Sequence, residues 1–87
     1  MYYLYVIECG DGSLYTGITT DVERRFSEHQ AGTASKYTRS RGAVLIVYIQ
    51  THANRSEAQM AEAAFKKKTR TQKLKYIAAH SSVRYAR

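Results

Sequence analysis

A tight turn near the N-terminus, Gly10-Asp11-Gly12-Ser13, most constrains how this chain can fold. It separates residues 2–9, which are rich in aromatic and β-branched side chains, from a shorter run of similar character, Leu14 to Ile18. Such runs favour β-strands, and glycine with aspartate between them is typical of a hairpin turn. The chain is therefore expected to begin with two antiparallel strands.

A helix and a basic segment are expected after the hairpin. Thr20 and Glu23 have the spacing of a capping box, with Thr20 as the N-cap of a helix that runs to about Ala31. Gly32 stands where a glycine commonly ends a helix. Residues 33–42 are polar and basic, and we expect them to form a loop.

A strand and two more helices are expected in the second half of the chain. Residues 43–51 are expected to form a strand, whose continuous apolar run is typical of a central strand that is buried on both faces. Asn54 or Ser56 can cap a helix that extends to about Lys68, and Thr71 can cap a last helix. The residues expected to face inward from these two helices are Ala58, Ala61, Phe65, Leu74, Ile77 and Ala78.

The predicted order of elements, β-β-α-β-α-α, indicates an α+β fold. It suggests a small three-stranded, largely antiparallel sheet that is flanked by helices. The chain has 87 residues, a length that suits one domain over residues 1–87 with a modest core.

Charge and cysteine content narrow the class of protein. Lysine and arginine number 14 against 7 acidic residues, and a net charge of +7 favours a polyanionic partner such as nucleic acid. Cys9 is the single cysteine, which excludes an internal disulfide and suits a reducing compartment. Residues 1–8 lack the pattern of a signal peptide, and the apolar run 43–49 is too short to cross a membrane. We therefore expect a soluble, intracellular, cytoplasmic protein with no membrane contact.

The residues that could carry chemistry are scattered, because no zinc-type cluster, glycine-rich phosphate loop or Ser/His/Asp arrangement stands out. Arg25 and His29 are four residues apart and share one helix face, where a salt bridge from Arg25 to Glu8 or Glu62 is the simplest explanation. Glu62 and Lys66 have the same spacing, as in an ordinary helix ion pair. Glu62 also borders the inward stripe, so its carboxylate needs a cation, either from the protein or a metal.

Two tyrosine-containing segments resemble a known pair of motifs. Tyr3-Leu4-Tyr5 followed by Tyr15-Thr16-Gly17 resembles the two half-motifs that name the GIY-YIG endonuclease superfamily. Residues 17–29 are similar to the first helix of that family, and Arg25 and His29 occupy the positions of its characteristic arginine and histidine. Tyr3 and Leu4 stand where the motif names glycine and isoleucine.

The resemblance extends to about residue 79. Lys36-Tyr37-Thr38 resembles a segment of the small stand-alone YhbQ-like branch, and Glu62 lies on a stretch similar to the helix that carries the family's metal-binding glutamate. Many family nucleases also have a late asparagine near the metal. The last helix here offers Lys73, Lys75 and Tyr76 instead.

The resemblance implies a metal-dependent DNA endonuclease that hydrolyses phosphodiester bonds with Mg²⁺ or Mn²⁺. It would be structure-selective or weakly specific and act in DNA repair or recombination. Arg25 would stabilise the charge at phosphorus, Glu62 would bind the metal, and the general base stays open among three residues. The implied catalytic residues are Tyr5, Tyr15, Arg25, His29 and Glu62.

The register of the hairpin tests this site. A two-residue loop, Asp11-Gly12, would place Tyr5 and Tyr15 on opposite faces of the sheet, whereas the implied site needs them on one face. A three-residue loop over residues 10–12 pairs Tyr5 with Gly17 and restores the shared face. Its last position is left-handed, which suits a glycine, so we expect this loop.

Basic residues outside the implied catalytic set are candidates for contact with the DNA backbone. Six of them lie between residues 66 and 75, and others lie in the segment 33–42. One alternative is a non-catalytic nucleic-acid-binding module with a vestigial site that needs a partner protein, and another is a purely structural interaction domain. The candidate DNA-binding residues are Lys36, Tyr37, Arg39, Arg41, Lys66, Lys67 and Lys73.

Overall fold

A computed structural model of the chain describes residues 1–80 together with the backbone of residues 85–86. The strands form one antiparallel sheet in the order β2-β1-β3-β4. The expected three-stranded sheet with helices is confirmed, and a short helix and a two-residue strand are added to it. The elements are β1 (Tyr2–Cys9), β2 (Leu14–Thr19), α1 (Val22–Ala31), α2 (Lys36–Arg41), β3 (Ala43–His52), α3 (Arg55–Lys66), α4 (Arg70–His80) and β4 (Tyr85–Ala86).

The hairpin has the register that the two-tyrosine site requires. Tyr5 pairs with Gly17, and the backbone N–H of Cys9 donates to the carbonyl of Ser13 over 2.8 Å. Gly12 closes the loop with a φ of 84°, a left-handed conformation that glycine adopts without strain. A methyl group at Gly17 would lie 2.6 Å from the Tyr5 hydroxyl oxygen. Glycine at this position therefore makes room for the tyrosine ring.

The most deeply buried strand is β1. Its residues 4–7 are all buried, because β2 and β3 pair with its two edges and helices cover both of its faces. The predicted central strand over residues 43–51 forms as β3, which lies between β1 and β4. Burial on both faces is confirmed for its middle, residues 46–48, whereas Val44 near its start is 45% exposed.

Two apolar clusters lie on opposite faces of the sheet. One lies beneath α3 and α4, and the other lies beneath α1. Because successive residues of a strand point to opposite faces, Leu4 and Val6 join the first cluster, whereas Tyr5 and Ile7 join the second. The buried residues that complete the two clusters are Val47, Tyr48, Phe65 and Ile77 on the first face, and Cys9, Phe26 and Ile46 on the second.

The start of α1 and the segment after it differ from the sequence-based expectation. Asp21, and not Thr20, is the N-cap of α1, and its carboxylate accepts a hydrogen bond from the Arg24 backbone N–H over 3.1 Å. Residues 33–42 do not form a loop throughout. They contain α2, which begins after Ser35 because the Ser35 hydroxyl caps the helix.

The later helices keep the expected order with shifted ends. Asn54 caps α3, as expected, and its side chain accepts from the Glu57 backbone N–H. The start of α4 is organised by Thr69 and not by Thr71, because Thr69 and Gln72 exchange side-chain to backbone hydrogen bonds.

The inward face of α4 is narrower than predicted. Ile77 is buried, but Leu74 is 44% exposed and Ala78 is exposed. Tyr76 packs against the core instead and meets the Phe65 ring edge-on at 5.9 Å between centroids. Among the described residues, the helices are all too short or too polar to cross a membrane.

Candidate active site

A buried tyrosine and a buried histidine meet across the sheet and α1. The Tyr5 hydroxyl oxygen lies 2.8 Å from Nε2 of His29, and the two residues are 2% and 1% exposed. Tyr5 points to this face because of the hairpin register, and His29 follows Phe26 by three residues on the inward side of α1. The structure therefore brings together two of the predicted site residues that lie 24 residues apart in the sequence.

The second ring nitrogen of His29 is held by α2. Its Nδ1 lies 2.7 Å from Oγ1 of Thr38, a residue that is fully buried. Thr38 Oγ1 is 3.0 Å from the Ser35 hydroxyl and 3.5 Å from the Ser35 carbonyl oxygen. A hydrogen-bonded chain thus connects Tyr5, His29, Thr38 and Ser35.

Thr38 belongs to this site, but the sequence pattern predicts no role for it. Its signal was present in the segment Lys36-Tyr37-Thr38, which carried part of the family resemblance. The expected loop over residues 33–42 hid it, because only a helical turn anchored at Ser35 directs Thr38 into the core.

Tyr5 and His29 are both uncharged at neutral pH. Burial lowers the pKa of His29 to about 4, and the positive charge of Arg25 acts in the same direction. Burial raises the pKa of Tyr5 to about 12, although the nearby Arg25 guanidinium opposes this shift. A neutral imidazole has one N–H and one acceptor nitrogen, so one of its two hydrogen bonds donates and the other accepts.

The burial of His29 in its neutral form predicts that the protein becomes less stable in acid. The His29 pKa is about 6.5 in the unfolded chain and about 4 in the folded one, so the unfolded state binds more protons between these values. The free energy of unfolding has its full value above about pH 6.5, and it decreases by up to about 3 kcal/mol as the pH drops towards 4. Chemical unfolding at several pH values in this window measures the loss. A His29→Gln variant should show a shallower dependence, and parallel curves for the two proteins would contradict the assignment.

Tyr15 and Tyr37 extend the site to the surface. The Tyr15 ring centroid lies 4.8 Å from that of His29 and 5.7 Å from that of Tyr37. Both tyrosines are partly exposed, and the Arg41 guanidinium lies 4.0 Å from the centre of the Tyr37 ring. A row of rings thus leads from the buried Tyr5 to solvent.

Arg25 lies beside this row at the edge of α1. Its Nη1 is 2.9 Å from Oε1 of Glu28, and each side chain is 34% exposed. The expected salt bridge to Glu8 or Glu62 is wrong, because Glu28 lies one helical turn away and reaches the guanidinium with little loss of side-chain freedom. The pKa of Tyr5 responds to Arg25, so the guanidinium lies near that hydroxyl. A guanidinium has five N–H donors, which leaves several for a substrate anion.

Glu62 lies on α3 in an ion pair with Lys66, whose Nζ is 3.2 Å from the carboxylate. The Glu62 side chain is 23% exposed, against 54% for Lys66. Its negative charge contributes to the raised pKa of Tyr5, after burial and the Tyr15 hydroxyl as causes in that direction.

The side chains around Glu62 limit how a divalent metal could be held. Within the described part of the chain, no group of three or more His, Cys, Asp or Glu side chains could hold a metal ion. One partly buried carboxylate therefore has to suffice. That donor set suits Mg²⁺, which commonly keeps most of its water and binds through one or two carboxylates.

The predicted DNA-binding residues lie at two places. Lys36, Tyr37, Arg39 and Arg41 lie on α2, and Arg41 Nε also pairs with Asp11 on the hairpin turn over 3.1 Å. The others lie at the end of α3 and the start of α4. These are Lys66, which is paired with Glu62, Lys67, which is exposed at the end of α3, and Lys73.

A cleft of about 210 Å³ joins the two places. It is lined by Ser13, Leu14, Tyr37, Arg70 and Lys73. Arg70 was absent from the sequence-based set, because nothing in the sequence indicated that the start of α4 meets the hairpin turn.

A family model described as the GIY-YIG catalytic domain matches residues 1–75. The chain therefore belongs to the GIY-YIG family, and at a coarse level this identifies a nuclease domain. The predicted family membership is confirmed.

Within that family, the chain is similar to the small UPF0213 proteins. A UPF0213 protein of Streptococcus sanguinis (strain SK36) is 59% identical over 75 residues, 86% of each chain. One from Streptococcus agalactiae serotype III (strain NEM316) is 51% identical over 80 residues, 92% of this chain and 91% of its own. The solution NMR structure of a UPF0213 protein from Bacillus halodurans aligns with a TM-score of 0.61 and 38% identity, covering 94% of this chain and 88% of that one.

Proposed function

We propose that this protein is a divalent-metal-dependent endonuclease that hydrolyses DNA phosphodiester bonds, structure-selective or weakly specific, in DNA repair or recombination. The observation that carries the proposal is the buried contact between Tyr5 and His29 beside Arg25, within a GIY-YIG catalytic domain. The single buried thiol, Cys9, suits a reducing cytoplasm, and residues 1–87 act as one domain.

The hydrogen-bonded chain favours one direction of proton transfer. Thr38 Oγ1 can donate its hydrogen to the Ser35 carbonyl oxygen, which lies 3.5 Å away, and can then accept the N–H of His29 Nδ1. His29 Nε2 is then the acceptor of the Tyr5 O–H. As a water molecule attacks phosphorus, Tyr5 takes the water proton at its oxygen and passes its own proton to Nε2. The phosphorus–oxygen bond to the leaving group breaks in the same displacement.

Tyr15 and Arg25 position the substrate in this proposal. Tyr15 is partly exposed, whereas Tyr5 and His29 are almost fully buried, so a water molecule reaches the Tyr15 hydroxyl most directly. Tyr15 therefore orients the water. Arg25 donates to the phosphate oxygens with N–H groups that Glu28 leaves free.

Glu62 is the residue that would hold Mg²⁺ or Mn²⁺, once Lys66 moves away from its carboxylate. When bound, the metal supplies positive charge that stabilises the leaving oxygen.

A cleavage assay with matched acidic variants tests the proposal. Branched, flapped and single-stranded DNA are incubated with the protein and Mg²⁺ or Mn²⁺, beside Glu62→Gln and Glu57→Gln. Glu57 lies on the same helix, and its side chain is 56% exposed. Cleavage by the wild type and by Glu57→Gln, with a loss of about 100-fold or more in Glu62→Gln, is the expected result. No cleavage by the wild type, or equal cleavage by all three, would overturn the proposal.

A second candidate function is a nucleic-acid-binding module without catalysis. The ion pair between Glu62 and Lys66 favours it, because this pair already satisfies the carboxylate. Binding of the same DNAs without cleavage, steeply weakened by salt, would select this function.

A further inference from the structure

The cleft between the hairpin turn, α2 and the start of α4 is lined by basic and aromatic residues. It is lined by Tyr37 and by two basic residues, Arg70 and Lys73. Among the described residues, no acidic side chain lines it. The Ser13 hydroxyl donates to Asp11 over 2.5 Å and is therefore committed to the turn.

Arg70 is held in place by the hairpin turn and has no acidic partner in the part of the chain that the structure describes. Its Nη1 donates to the carbonyl oxygen of Gly12 over 2.5 Å, a contact between α4 and the hairpin turn that spans 58 residues of sequence. This bond uses one of the five N–H donors of the guanidinium. The remaining donors belong to a guanidinium that is already held in position. An anion that binds them would restrict little further side-chain motion, so the entropic cost of binding is small.

The charges at this cleft are not balanced within the described chain. Arg70 and Lys73 lie at the start of α4, where the helix dipole disfavours cations, and the first turn contains no acidic residue. Neither side chain forms a salt bridge with another described residue. Lys73 lies instead 5.9 Å from the centre of the Phe65 ring. Arg41 differs, because Asp11 neutralises it. An anion in the cleft would relieve this arrangement.

The cleft also adjoins the candidate active site. Tyr37 lines the cleft, and its ring lies 5.7 Å from that of Tyr15, which in turn lies 4.8 Å from that of His29. An anion held by Arg70 and Lys73 would therefore sit close to the reacting phosphate of a bound strand. We propose that the cleft binds one backbone phosphate of the DNA near the scissile one, held jointly by Arg70 and Lys73. This inference rests on the proposed function and adds to it a second phosphate position.

Binding without metal tests the inference independently of cleavage. Fluorescence anisotropy with labelled duplex DNA in EDTA gives the dissociation constant over a series of salt concentrations for the wild type, Arg70→Gln, Lys73→Gln and the double variant. Arg55→Gln, which changes an exposed arginine at the start of α3, is the control for a simple loss of charge. Thermal unfolding shows whether each variant remains folded, since Arg70 also tethers the turn.

A jointly held phosphate has a particular signature. Each single substitution should reduce the magnitude of the slope of log K against log salt concentration by about 1, where K is the association constant for DNA. The double variant should reduce this magnitude by no more than about 1 in total. Arg55→Gln should leave the slope near that of the wild type. An unchanged slope in the double variant would overturn the inference, as would a decrease of about 2, which indicates two separate contacts. If cleavage fails but this pattern holds, only the nuclease proposal is lost.

Inorganic phosphate distinguishes a DNA subsite from a site for a free anion. It is titrated at constant ionic strength while the backbone N–H signals of Tyr37 and Arg70 are followed by NMR. Weak binding that DNA competes away supports the subsite. Saturation by phosphate, together with DNA binding that is insensitive to Arg70→Gln and Lys73→Gln, would assign the cleft to a free anion and overturn it.

Discussion

Replacement of Arg25 by alanine is expected to lower the rate of DNA cleavage by about 10²–10³-fold, with little change in DNA affinity. The guanidinium lies at the mouth of the site, near the Tyr5 hydroxyl, and Glu28 occupies only part of its donor set. Its remaining donors would meet negative charge that grows at the phosphate oxygens during the reaction. Loss of this contact therefore acts on the transition state more than on binding.

The adjacent arginine provides the control for Arg25. Arg24 lies on the same helix and also pairs with Glu28, at 3.3 Å, but its side chain is 56% exposed. Arg24→Ala should cleave DNA within about threefold of the wild type, because an exposed ion pair contributes little. Single-turnover rates with saturating protein separate the cleavage step from binding. A similar loss in both variants would show that Arg25 acts only through net charge.

Thr38→Val should reduce cleavage about 10-fold or more and destabilise the fold by about 1–3 kcal/mol. Valine has nearly the shape of threonine but no hydroxyl, so Nδ1 of His29 would remain buried without a partner. The ring would then lose the contact that fixes which nitrogen carries the proton. Thr38 does not touch the substrate in this scheme and is a positioning residue.

A conservative variant and a spectroscopic measurement separate positioning from general damage to the fold. Thr38→Ser keeps the hydroxyl and should retain most of the activity. The ¹⁵N shifts of the His29 ring report its tautomer, which should be single in the wild type and mixed in Thr38→Val. Equal ring shifts in these two proteins, with activity lost only in proportion to unfolding, would exclude the positioning role.

The sequence determines the frame of this site because its signals are local. The turn at residues 10–13 allows two registers, and the family resemblance selects the one that places Tyr5 and Tyr15 on one face, which is confirmed. The spacing of Arg25 and His29 on one helix also follows from local periodicity. These features depend on residues that are close in sequence or joined by a short loop.

What the sequence could not provide depends on how distant segments meet. Thr38 reaches His29 only because a six-residue helix forms, and a helix this short has almost no periodic pattern. Arg70 meets the hairpin turn through packing across 58 residues. The partner of Arg25 was missed for the opposite reason, since a neighbour one turn away competes well with a distant carboxylate.

Because β1 is buried on both faces, the candidate site should be lost only when the whole domain unfolds. Tyr5 belongs to a strand whose neighbours Leu4 and Val6 anchor the opposite face of the sheet. Segments that open independently in proteins are usually exposed and sparsely packed, and β1 is neither. Heat or denaturant is therefore expected to release Tyr5 from its packing only by unfolding the whole domain. Inactivation and global unfolding become one event, and mobility needed to admit DNA must come from the surface elements around the strand.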